Sequence, residues 1–166
     1  MVRAHHLIHL AKRFFGSLWP GGPPPADEAW VSSILRPGEV DLWRRMSGAD
    51  RRHAVGVARA VGSDDRTVTA AALLHDVGKI DAGIGTFRRA AVTAATLVVG
   101  RERVVRARPG GTASRYLRHD EIGAGLLRDA GADELTVTWA REHHLPEKSW
   151  TVPADIGRRL KAADDD

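Results

Sequence analysis

From residue 27 onward, apolar side chains recur at helical spacing in one segment after another, and Gly, Pro, Asp and Ser fall at the breaks. The pattern predicts short helices from Asp27 to Leu35 and from Glu39 to Met46, parted by Pro37-Gly38. A third runs from an Asp50 cap to Val61 and stops at Gly62. Ser63 is the expected cap of a fourth, which carries Thr67 to Val77 and stops at Gly78. A further helix is expected around Arg88 to Val105, followed by a loop opened by Arg108-Pro109-Gly110-Gly111 before His119. Helices from Asp120 to Ala130, Asp133 to His144 and Pro153 to the end complete the series. Neither internal repeats nor strand-like alternation interrupt it, so the expected class is all-α. Residues 1–19 form their own amphipathic pattern, with Leu7, Leu10, Ala11, Phe14 and Leu18 along one side. Pro20-Gly21-Gly22-Pro23-Pro24-Pro25 cannot continue a helix. The expected division is therefore a helical arm with its linker over 1–25, and a helical domain over 26–166.

Composition narrows this picture. The chain has 166 residues, 43% of them hydrophobic and only 5% aromatic. That length buries a real core, and a core rich in Ala, Val and Leu suits packed helices better than a β-sandwich. There is no cysteine, which excludes disulfides and thiolate-held zinc and leaves nitrogen and oxygen as the only strong metal donors. No apolar run approaches the roughly 20 residues that span a bilayer. The longest, Ala90 to Val99, is flanked by Arg88, Arg89 and Arg101, and no signal peptide follows Met1. A cytoplasmic protein without a membrane partner is expected. The net charge of +4 comes mostly from arginine but is balanced by many acidic residues. Ordinary solvated faces explain it better than a nucleic-acid footprint does.

Several potential metal ligands stand on otherwise apolar helical faces. His53 has Gly56, Val57 and Ala60 as helical neighbours. His75 and Asp76 adjoin the apolar run Ala70-Ala71-Ala72-Leu73-Leu74. His119 heads a stripe of Ile122, Gly123, Leu126, Leu127 and Ala130. His143, with His144 beside it, continues the face of Leu135 and Trp139. Asp164 lies four residues beyond Leu160. A lone histidine on such a face is usually a satisfied core residue. A buried carboxylate needs compensation, and recurrence on several separate helices points to a shared cation centre. Imidazole with carboxylate suits zinc, manganese or iron.

Leu73-Leu74-His75-Asp76-Val77-Gly78-Lys79 resembles the signature of the HD superfamily of metal-dependent phosphohydrolases, which often reads leucine-leucine-histidine-aspartate-x-glycine-lysine. The resemblance spans roughly residues 40–166. His53 looks like the family's first histidine, His75-Asp76 its doublet, His119 the next histidine with Gly123 four residues on, His143-His144 the paired histidines and Asp164 the closing aspartate. The resemblance implies an HD-type helical bundle. It also implies one metal on His53, His75, Asp76 and Asp164, and a second on the additional histidines with Asp76 bridging. The implied cofactors are one or two divalent ions among Mn, Fe, Zn, Co and Mg. The implied reaction is hydrolysis, by cation-activated water, of a small phosphate ester such as a nucleotide. Asp76 and Lys79 carry the catalytic expectation, Lys79 as a grip on a phosphoryl oxygen. Arg88, Arg89, Arg115 and Arg118 are weaker candidates for the approach of the phosphate.

Two departures bear on this. The Gly-Tyr-Pro triplet of cyclic-dinucleotide-cleaving relatives is absent, since Leu145-Pro146-Glu147-Lys148 follows the paired histidines. Asp164 opens the terminal Asp164-Asp165-Asp166, for which an acidic tail is the plain alternative; Asp155 is a rival ligand but falls off the Ile156/Leu160 face. His5 and His9 have metal-pair spacing without the glutamate of a zinc protease. A mixed-valent di-iron oxygenase and a non-catalytic nucleotide-binding module remain open as other uses of the same residues.

Overall fold

A computed structural model describes residues 21–82, 100, 103, 106, 107 and 111–165. These are helical, with no strand among them. In chain order the elements are α1 (Pro25–Ile34), α2 (Pro37–Arg45), α3 (Gly48–Val61), α4 (Arg66–Leu74), α5 (Lys79–Ala82), α6 (Thr112–Leu117), α7 (His119–Asp129), α8 (Glu134–Glu142), a 3₁₀ turn at Glu147–Ser149, and α9 (Ala154–Asp165). The all-α expectation holds. The N-terminal arm, including His5 and His9, lies outside the described residues, as does almost all of the segment from Arg88 to Val105.

The centre of the bundle is α4. Every residue from Val68 to Leu74 is buried, as expected of a helix that is apolar all round. It is surrounded by α1, α3, α8 and α9, while α7 packs along α8. Trp43, Trp139, Leu73, Leu74, Leu127 and Leu160 fill the interior. One ionic cluster crosses this core. Glu39 is wholly buried, accepts from the Arg36 backbone N–H at 2.7 Å and faces the Arg66 guanidinium at 3.3 Å. Arg66 and Arg36 both also pair with Asp133, at 3.1 and 2.7 Å, so α2, α4 and the start of α8 are tied together.

Caps and ends depart from the sequence pattern in informative ways. Helix α3 is capped by Ser47, whose hydroxyl accepts from Asp50 N–H at 3.2 Å, so Asp50 sits inside the first turn and favours the dipole from there. Asp65 caps α4, its carboxylate accepting from Thr67 N–H at 2.7 Å, while Ser63 supports Asp65. Helix α4 ends at Leu74 rather than Val77. Beyond it the chain winds more tightly, with Val77 N–H donating to Leu74 C=O at 3.1 Å and Lys79 N–H to Asp76 C=O at 3.0 Å. The expected stop at Gly62 is present, with φ at +56° in the left-handed region. The loop expected before His119 contains α6. All of this positions one thing: the end of the most buried helix delivers His75 and Asp76 to the middle of the protein.

Candidate metal centre

His75, His119 and His143 are held by the same local device. Each stands at or just past a helix end: His75 and His143 are the C-terminal caps of α4 and α8, and His119 follows the last residues of α6. Each ring nitrogen Nδ1 lies against the carbonyl three residues earlier, Ala72 at 2.9 Å, Tyr116 at 2.7 Å and Ala140 at 3.0 Å. Carbonyls at helix ends lack intrahelical donors, so an Nδ1–H that satisfies one is a stable arrangement. It aims Nε2 away from the helix, so that Nε2 is the nitrogen offered to a metal once it carries no proton. The negative ends of the α4 and α8 dipoles also favour a cation there.

These side chains converge. His53, from the middle of α3, has Nε2 2.9 Å from Asp164 Oδ1. The same Asp164 oxygen is 3.5 Å from His75 Nε2, which is itself 3.5 Å from Asp76 Oδ2. The other Asp76 oxygen, Oδ1, faces His119 Nε2 at 3.4 Å and His143 Nε2 at 3.7 Å. His144 Nε2 stands 3.2 Å from His119 Nε2. Two ligand groups result, His53/His75/Asp164 and Asp76/His119/His143/His144, in each of which the donor atoms lie within 4.8 Å of one another. Adjacent residues on one turn join them, His75 in the first and Asp76 in the second.

Whether a cation fits can be judged from polar satisfaction. His75 Nε2, Asp76 Oδ1 and His143 Nε2 are buried with no hydrogen-bond partner. Buried polar atoms are rarely left so, and all of these point into the gap between the groups. A divalent ion is the natural partner for unprotonated imidazole and carboxylate together. The charges agree. Burial opposes ionisation of Asp76, but Lys79 and His75 outweigh it and hold its carboxyl well below the usual range. For Asp164 burial is again overcome, here by the hydrogen bond with His53 and the nearby His75, and its pKa falls. Burial alone would lower His75; its two carboxylate neighbours push it up to about 10. The carboxylates thus remain anionic, and a proton on His75 substitutes for a cation in their field.

Every sequence-predicted ligand is in this cluster. Asp164 is buried on the last turn of α9 and belongs to the first group, whereas Asp155 is exposed and belongs to neither. Lys79 packs its ammonium against Asp76 Oδ2, and its own pKa is raised because Asp76 and Asp50 outweigh its burial. Arg115 and Arg118 instead pair with Asp81 at 3.7 Å and Glu121 at 2.7 Å, both on the surface. Arg88 and Arg89 lie outside the described residues. Sequence reasoning missed Tyr116, whose ring stacks on His119 at 5.9 Å, and Glu142, buried immediately before the paired histidines. A signal for Glu142 was present: an acid in the last turn of a helix opposes the dipole and needs a reason.

A buried His-Asp doublet shared between two ligand groups is the arrangement that the heptapeptide implied, and the family model of the HD domain matches residues 52–165. The chain belongs to the HD domain family. The match runs from α3 to α9 and takes in every residue of both groups described above. No curated protein and no solved structure matches the chain. The HD domain and its buried His/Asp groups fit a metal-dependent hydrolase. Among the described residues no helix is long and apolar enough to cross a membrane.

Proposed function

We propose that this HD protein is a phosphohydrolase that cleaves a small phosphate ester, a nucleotide or a related mono- or diester, at a centre for two divalent cations. The observation that carries the reading is the pair of donor groups meeting at His75-Asp76, with inward atoms that have no other partner. His53, His75 and Asp164 would hold one ion, and His119, His143 and His144 the other, with the two oxygens of Asp76 turned one toward each group. Such cations supply Lewis acidity, which acidifies water and offsets phosphoryl charge.

The chain's own residues do the rest. Their Nδ1 bonds hold the rings of His75, His119 and His143 in place, so binding a cation would displace the second proton of His75 without turning its ring. Lys79 pairs directly with Asp76 of the doublet and is partly exposed. It would exchange its hold on Asp76 for a phosphoryl oxygen as substrate enters. His144 is exposed, which marks the second group as the one that opens toward solvent. The functional domain in this reading is 26–166, with residues 1–25 as an appended arm.

The test is a panel of phosphate esters with Mn, Fe, Zn, Co or Mg. Turnover of at least one ester should be lost in both His75→Ala and Asp76→Ala. Turnover retained in both would remove these residues from the chemistry.

A further inference from the structure

Helix α8 stops at Glu142, and the chain then loops outward through His143 and His144 before Trp150 and Thr151 bring it back to the same helix end. Glu142 is only 3% exposed. It accepts from Thr151 N–H at 2.6 Å and from the Thr151 hydroxyl at 2.7 Å. The Trp150 indole N–H donates to the Glu142 carbonyl at 3.1 Å and the Leu145 carbonyl at 3.0 Å. Both ends of the loop are therefore fastened to one residue. Burial disfavours the Glu142 anion, yet donors from Thr151 and Val152 hold its pKa below the ordinary value. The indole also meets Trp139 edge-on at 5.4 Å. On its other side it lies so close to α9 that a Cβ at Gly157 would be 2.7 Å from Trp150 Cε3. The loop is thus seated against the helix that carries Asp164.

His143 does not depend on this arrangement, because its ring is buried and anchored to Ala140. His144 is different. It is exposed and has no such Nδ1 anchor among the described residues, yet its Nε2 stands 3.2 Å from that of His119. We propose that Glu142, gripping Thr151 and Trp150, is a positioning residue that holds the 143–151 loop so that His144 completes the second ligand group. This inference rests on the two-ion reading above.

The experiment titrates Mn²⁺ into the metal-free 166-residue chain by calorimetry, with elemental analysis for stoichiometry and thermal unfolding alongside. The wild type should take up two ions. Glu142→Ala should weaken one of them about 10- to 100-fold, the usual effect of losing a residue that orients a ligand, and leave the other within about twofold. His144→Ala should weaken that same ion. Glu142→Gln and Thr151→Val, each keeping part of the grip, should fall between, and they carry the test if Glu142→Ala does not fold. Equal weakening of both ions, or unchanged Mn²⁺ binding with a lower melting temperature, would reduce Glu142 to a structural residue and overturn the proposal. If the wild type takes fewer than two ions, the two-ion reading fails by itself. The positioning role is then decided by the His119–His144 ring contact seen by NMR in the metal-free protein: lost in Glu142→Ala, it stands; retained, it does not.

Discussion

Replacing Gly78 with alanine puts a methyl group where the structure already has backbone. A Cβ there would be 1.8 Å from the His119 carbonyl oxygen, 2.7 Å from its carbon and 2.6 Å from Gly123 N. Ordinary contact begins near 3.4 Å, so the turn after the doublet and the start of α7 would have to part by about 1.6 Å. No flexible side chain is available to yield, and Gly78 is not among the positive-φ glycines, so the conflict is purely steric. Overpacking of this kind costs about 1–3 kcal/mol or more, which lowers the melting temperature by roughly 2–12 °C in a domain of this size. The chemical consequence is sharper. Metal–nitrogen bonds tolerate about 0.2 Å of displacement, and the element being pushed is the one that presents His119. Gly78→Ala should therefore lose the second ion in elemental analysis and melt earlier even without metal. Gly125→Ala is the control within α7: nothing lies within 4 Å of its Cβ, so it should be neutral or stabilise by about 0.5–1 kcal/mol. A Gly78→Ala protein with wild-type melting and full metal content would refute the claim that backbone contact here sets the site.

Two further outcomes follow from the same geometry. Asp164→Asn should weaken the ion of the His53/His75 group at least about tenfold by calorimetry, because one oxygen serves both histidines, while Asp155→Asn, on the exposed face of α9, should bind metal as the wild type does. In the metal-free protein the raised pKa of His75 stabilises the fold fully below about pH 6.5, and that contribution is lost as pH rises toward about 10. The depressed Asp164 acts oppositely: its contribution is present above its ordinary pKa of 3.8 and disappears as pH falls below it. Urea midpoints measured against pH in chelator should show both limbs, with the alkaline one flattened in His75→Gln; an unchanged alkaline limb would show that His75 is not the group responsible.

The sequence by itself determined the helical class, the approximate extent of most helices and which histidines and aspartates to look for at a shared centre. Helical periodicity is a local property, and a polar residue on an apolar stripe announces a buried polar group wherever that stripe packs. The doublet was legible for the same reason, since a fully apolar run ending in His-Asp places ionisable groups at the deepest point of the core. The tertiary structure decided what local pattern leaves open. Ser47 and Asp65, rather than Asp50 and Ser63, cap α3 and α4, because several capping residues lie within one turn and only the path of the chain selects among them. Asp164 stands buried beside His53 rather than in a solvated tail because α9 packs along α3, bringing His53 to it from 111 residues away. The separation of the two ligand groups, the backbone contact of Gly78 with α7 and the hold of Glu142 on Thr151 depend on how helices meet in space, a matter of packing at ångström scale that no spacing along the chain encodes.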